Sequence, residues 1–164
     1  MKLIPFAIAL ATALVSTPIL AQEATDITQD SAWANDQLNA LYALTPEDGW
    51  FVLDGGVRMR RTAGDGTGPA PTVRDTVTVN YTGRLTNGQV FDSTRGRRPA
   101  TFPLGQLVRA WQVAIPYMGI GDTIEIAVPA EMGYGARGAG PIPPNATLFF
   151  EIELLDVMVA PGRG

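Results

Sequence analysis

The stretch VNYTGRLTNGQVFDSTRGR, residues 79–97, decides how the rest of the chain is read. Its first four residues alternate apolar and polar, Asn87-Gly88 offers the positive φ angles of a tight turn, and Val90-Phe91 resumes an extended run. That is the pattern of a β-hairpin. The second strand runs directly into Asp92, then Arg95, Arg97 and Arg98. A carboxylate, three guanidiniums and Tyr81 therefore gather at one end of the hairpin, while Tyr81 shares the inner strand face of Val77 and Val79.

Outward from the hairpin the chain keeps to short β-like runs with turn punctuation. Trp50–Leu53, Val57–Thr62, Thr76–Leu85, Gln89–Asp92, Gly121–Val128 and Thr147–Val157 are the expected strands, and Gly64–Pro71 is a Gly/Pro loop. In the last two strands Ile124, Ile126 and Val128, and Leu148, Phe150, Ile152 and Leu154, each share one face, while Glu151 and Glu153 point the other way. These are antiparallel strands covered on one side. Gly105–Met118 breaks the pattern: Leu107, Val108, Trp111, Ala114 and Ile115 fall at helical spacing, and Pro116 limits the length. The expected fold is α+β, a twisted antiparallel sheet wrapped around one short helix.

The N-terminal third differs. Residues 1–21 place Lys2 before a long apolar run and small residues near Ala21, the layout of a secretory signal peptide. Pro5 and Pro18 interrupt that run, so no stable membrane span is expected once the signal is removed. Residues 22–48 hold six acids and no Lys or Arg, and within them 28–44 place Trp33, Leu38, Leu41 and Tyr42 near helical spacing. This helical extension packs on the domain, mediates dimerisation or acts as a spacer; a monomer or weak dimer is expected. The organisation is a signal at 1–21, an acidic helical extension at 22–48, the domain at 49–160 and a tail at 161–164.

Composition narrows the chemistry. The chain has 164 residues, 46% hydrophobic and 17% charged, with no Cys and no His. Thiol nucleophiles, His-based triads and the usual zinc ligand sets are therefore excluded. Apart from Lys2 the basic residues are eleven Arg against sixteen acids, and a net acidic chain argues against a nucleic-acid partner. Asp92 with Glu131 could be imagined as a hydrolytic carboxylate pair, but nothing in their spacing pairs them. What remains is chemistry done by carboxylates, hydroxyls, Arg, backbone groups or an apolar hollow. Tyr81, Phe91, Trp111, Tyr134 and Phe150 are the aromatics that could line one between helix and sheet.

Three blocks carry a resemblance: VTVNYTGRLTNGQVFDST at 77–94, FPLGQLVRAW at 102–111, and YGARGAGPIPPNATLFFEIELL at 134–155. In this order they resemble the signature blocks of the FKBP-type peptidyl-prolyl cis-trans isomerases, over roughly residues 50–158. The resemblance implies catalysis of rotation about X-Pro bonds without a covalent intermediate, metal or cofactor. It implies catalytic roles for Tyr81, Phe91, Asp92, Trp111, Tyr134 and Phe150, and peptide contacts from Arg97, Phe102, Leu107, Val108 and Ile142. Proline-containing polypeptides are the implied partners, with macrolides such as tacrolimus and rapamycin as inhibitors. With the signal, it implies a bacterial, periplasmic folding enzyme; a weakly catalytic chaperone or proline-binding module using the same cleft is the alternative. Ala100, where many members carry an aromatic, Ala110, Pro141 and a shortened 135–143 loop depart from the pattern, and they bear on substrate preference and macrolide affinity.

Overall fold

A computed structural model describes residues 19–162. The expected signal peptide lies outside them except for its last three residues. Two units are distinguished by their internal contacts, 1–32 and 33–164. The described part of the first is the opening of helix α1, Ile19–Tyr42; the rest of α1, from Trp33, belongs to the second. No helix among the described residues is long and apolar enough to cross a membrane.

The second unit is built on one antiparallel sheet of seven strands. They are β1 Phe51–Val52, β2 Arg58–Ala63, β3 Thr76–Leu85, β4 Val90–Ser93, β5 Ala100–Pro103, β6 Thr123–Val128 and β7 Leu148–Met158. The order is β1-β2-β6-β7-β3-β4, with β5 also on β3. Long β3 pairs with β7 along its whole length, while its other edge is shared: β5 takes Thr76–Val79 and β4 takes Thr82–Arg84. β5 is absent from the strands expected from sequence, because four residues beginning Ala-Thr and ending in Pro carry little alternation.

Helix α2, Arg109–Ala114, lies against the sheet's apolar face with Trp111 and Ala114 buried, and Ile115 continues the stripe. It is shorter than expected. Residues 104–106 and 115–117 form tighter 3-10 turns on either side, the second with Pro116 near its start, where a missing N–H costs nothing. Val77, Val79, Ile124, Ile126, Leu148, Ile152 and Leu154 are buried under this helix. At about 25 cal/mol per Å² of apolar surface, this shared burial is what holds so short a helix in place.

The N-terminal helix corrects the expected face. Trp33, Gln37 and Leu41 are the residues turned to the domain; Leu38 and Tyr42 are exposed. The spacing is i, i+4, i+8 with a polar residue in the middle, which a hydrophobic-only pattern does not register. The hairpin turn is also corrected: Gly88 alone takes positive φ, 84°, and Asn87 instead accepts a hydrogen bond at Oδ1 from the Gln89 N–H at 2.9 Å. Leu85 and Gln89 close a three-residue loop, a common way to join twisted antiparallel strands.

Candidate active site

Pairing between β3 and β4 sets Ser93 opposite Thr82 and Asp92 opposite Gly83, then skips to Val90 opposite Arg84. Phe91 is the extra residue of a bulge. Strict alternation would send Phe91 and Asp92 to opposite faces of the strand; the bulge lets both line one hollow. The strand is clasped where it bends. The Tyr81 N–H donates to Thr94 Oγ1 and the Thr94 N–H donates to the Tyr81 carbonyl, each at 2.9 Å. Ser93 Oγ lies 2.9 Å from Thr82 Oγ1 and donates to the Tyr81 carbonyl at 3.1 Å.

The hollow is a cavity of about 270 Å³ lined by Tyr81, Phe91, Asp92, Phe102, Leu107, Val108, Trp111, Tyr134 and Phe150. Trp111 rises from α2 as its floor. Its ring stands nearly perpendicular to those of Tyr81 and Phe150, with centroids 5.2 and 5.4 Å away, and Phe91 meets Phe150 edge-on at 5.5 Å. These edge-to-face contacts suit the ring quadrupoles and make each ring brace the next. Trp111 Nε1 is buried and has no hydrogen-bond partner among the described residues. Leu107 and Val108 occupy the extended approach to α2, which Gln112 holds by donating from Nε2 to the Leu107 carbonyl at 2.7 Å.

Charge sits only at the rim. The Tyr81 hydroxyl donates to Asp92 Oδ2, the Ser93 N–H donates to Oδ1 at 2.8 Å, and Arg97 Nη2 donates to Oδ1 at 3.2 Å and to the Ser93 carbonyl. The Tyr81 hydrogen bond, with help from Ser93 and Arg97, holds the Asp92 carboxyl below the usual range. Burial, then the bond to anionic Asp92, pushes the Tyr81 phenol far up. Tyr134 is raised as well, chiefly by burial and then by the Asp92 charge. Both tyrosines thus keep their protons across physiological pH, and the Tyr134 hydroxyl, with no partner among the described residues, remains free to donate.

Two residues expected to contact peptide are not among the cavity's lining: exposed Arg97 bonds Asp92 and lines the adjoining polar hollow, and Ile142 is buried in the core. Gly83 and Thr94, by contrast, escaped the sequence reading. A Gly inside an otherwise regular strand signals a close approach, and here the approach is the Phe91 ring. A larger hollow of about 510 Å³ lies over Asn80, Thr82, Thr94, Arg95, Glu151 and Glu153. It is polar, and its groups are already satisfied by one another, as in Arg95 to Glu151 at 2.6 Å and Asn80 to Glu153 at 3.0 Å. Glu131 borders a third hollow, beside Gln37 and Leu38, and takes no part in the aromatic one, which leaves the Asp92–Glu131 pair without a shared site. Among the described residues, no three His, Cys, Asp or Glu side chains gather to hold a metal ion.

An aromatic box with one anchored carboxylate and one free phenol agrees with the family comparison, in which the model of FKBP-type peptidyl-prolyl cis-trans isomerases matches residues 68–155. The chain belongs to this family. It is 48% identical to FK506-binding protein 1 of Dictyostelium discoideum over 95 residues, 56% of this chain and 89% of that protein. It is 44% identical to the outer membrane protein MIP of Legionella longbeachae over 122 residues, 73% of this chain; it spans about half (52%) of that longer protein. Among solved structures, the peptidyl-prolyl cis-trans isomerase of Pseudomonas syringae pv. tomato superposes with a TM-score of 0.72 at 32% identity, covering 79% of this chain and 96% of that one. FKBP members bind proline-containing peptides.

Proposed function

We propose that this chain is a peptidyl-prolyl cis-trans isomerase that accelerates rotation about X-Pro bonds in exported polypeptides. The observation that carries the reading is the cavity itself: six aromatic rings and two aliphatic side chains around a space whose one charged group, Asp92, stands at its rim.

Physically, such a site needs no nucleophile. An X-Pro amide crosses a barrier of about 18–20 kcal/mol because rotation destroys resonance, yet its cis and trans forms differ by only about 0.5–1 kcal/mol. Water bound to the amide oxygen favours the planar, charge-separated form, and a dry cavity removes that water. The twisted form has lost the resonance dipole, so it suffers less from desolvation. An acceleration of roughly 10⁵ requires only about 7 kcal/mol of differential stabilisation, within reach of desolvation and one or two aimed hydrogen bonds.

Each residue then has a part. Trp111 supports the prolyl ring, Phe91, Tyr81 and Phe150 wall it, and Phe102, Leu107 and Val108 hold the adjoining peptide. Tyr134 donates to a substrate carbonyl. Asp92 orients Tyr81 and presents negative charge toward the turning amide without exchanging a proton. Arg97 steadies Asp92, and Ile142 supports the far wall from the core. The same cavity is the proposed seat for a macrolide such as tacrolimus.

Export rests on the signal-like residues 1–21 and on the kinship with a protein named for the outer membrane; the proposed compartment is the bacterial periplasm. The deciding experiment is a protease-coupled isomerisation assay on short X-Pro peptides with wild type, Asp92→Ala and Tyr134→Phe. Wild type should accelerate isomerisation, and both variants should be slower. A background rate in wild type with peptide binding retained would leave a proline-binding module in place of an enzyme.

A further inference from the structure

The helix that precedes the domain buries a polar side chain against it. Gln37 is a polar residue only 4% exposed, and every hydrogen bond of its side chain goes to a segment flanking the cavity. Its Nε2 donates to Thr86 Oγ1 at 3.2 Å, in the turn that joins β3 to β4. Its Oε1 accepts from the Thr147 N–H at 2.9 Å, and its main-chain carbonyl accepts from the Thr147 hydroxyl at 3.0 Å. One turn earlier, Trp33 Nε1 donates to the Pro144 carbonyl at 3.2 Å.

Thr86 and Thr147 are neighbours at one end of the β3–β7 ladder, one step beyond the Leu85–Leu148 pair. Thr86 ends the hairpin that carries Tyr81, Phe91 and Asp92; Thr147 ends the loop that begins at Tyr134 and leads into β7 and Phe150. Within that loop Asn145 donates from N–H to the Gly135 carbonyl at 2.9 Å, next to Tyr134, and does so with φ of 56°, a strained value for a residue with a side chain. The described hydrogen bonds from beyond the loop to Pro144 and Thr147 side chain and backbone come from α1.

Resting on the isomerase reading above, we infer that Gln37 and Trp33 are positioning residues of the cleft: together they pin the end of the Tyr134 loop, at Pro144 and Thr147, against the turn of the hairpin that carries Asp92. The extension is then part of the enzyme, beyond any role as a spacer. Displacements of an ångström in a preorganised site cost rate far more than they cost stability, so the effect belongs in kinetics before it shows in melting.

The test uses the full chain at a temperature where circular dichroism shows each variant folded. Gln37→Leu, which keeps the volume and removes the side-chain bonds, should lower kcat/KM about five- to tenfold, mainly through KM, and speed hydrogen exchange at Asn145 and Thr147. Thr147→Val and Trp33→Phe should move the same quantities in the same direction, and Thr147→Ser, which keeps the hydroxyl, should restore them. A purely structural contact would lower the melting temperature and leave kcat/KM of the folded protein unchanged; values within twofold of wild type overturn the inference. Should Gln37→Leu fail to fold, Thr147→Val and Trp33→Phe decide. A wild type without isomerase activity would defeat the function instead, and unchanged exchange at Asn145 in the variants would then defeat the positioning role.

Discussion

Gly83 lies directly under the ring of Phe91: a Cβ built on it would stand 2.5 Å from Phe91 Cζ and 2.9 Å from Phe150 Cε1. Real Cβ atoms do not approach that closely, so the missing side chain is what lets the bulged strand lay Phe91 across β3 and into the cavity. Gly83→Ala should push Phe91 outward, lower kcat/KM for X-Pro peptides at least tenfold, and cost about 1–3 kcal/mol in denaturant unfolding by overpacking. Wild-type kinetics in the folded variant would show that Phe91 need not sit where it does.

Trp111 presents a different balance. Its indole fills the floor, but its N–H is buried without a partner, a group whose burial costs roughly 1–3 kcal/mol. Trp111→Phe removes that penalty along with part of the ring, whose lost packing costs a similar amount. Folding stability should therefore change by less than about 1.5 kcal/mol, while kcat/KM falls because the prolyl ring loses its support. Urea melts alongside peptide kinetics separate the two; a large stability loss would mean that the indole nitrogen is satisfied.

The hairpin, the last two strands and the lone inner helix were legible in sequence because each rests on a local period: two for Ile124–Val128 and Leu148–Leu154, near 3.6 for Trp111, Ala114 and Ile115; the cleft residues came chiefly from the resemblance of three sequence blocks to the family. What escaped rests on geometry that has no period. The bulge at Phe91 places two successive side chains in one hollow, and only the register between Gly83 and Arg84 reveals it. Gln37 reads as a solvent residue until Thr86 and Thr147, far off in the chain, are brought beside it. Ile142 sits in the core because Ala139 bridges back to it and turns the loop inward.

Asp75 offers a test of the frame apart from the cleft. Fully buried before β3, it accepts from the Thr72 N–H at 2.7 Å and the Thr72 hydroxyl at 2.9 Å through Oδ2, and from the Ala160 N–H at 2.9 Å through Oδ1. It thereby ties the end of β7 to the start of β3. Asp75→Ala orphans three partly buried donors and should cost about 1–3 kcal/mol in urea unfolding. The kcat/KM of the folded fraction should stay at the wild-type value, unlike that of Gly83→Ala.

The pH response follows from the rim. Asp92 has a folded value below that of an unfolded aspartate, about 3.9, so its contribution to stability is present above that pH and is lost as pH falls through the folded value. Tyr81 has a folded value above that of an unfolded tyrosine, about 10; its contribution is complete below that pH and fades as pH rises beyond it. With no histidine in the chain, kcat/KM should be flat from about pH 5 to 9, a window set by these two groups. Because the Tyr81 bond is the largest cause of the lowered Asp92 value, Tyr81→Phe should raise it, visible as an upfield-to-downfield carboxyl titration in ¹³C NMR that moves to higher pH. The acid limb of kcat/KM should move with it. A slope in the wild-type profile between pH 6 and 8, around the ordinary histidine value of about 6.5, would reveal a titrating group that this site does not contain and would sink the assignment of Asp92 as a fixed, permanently charged orienting group.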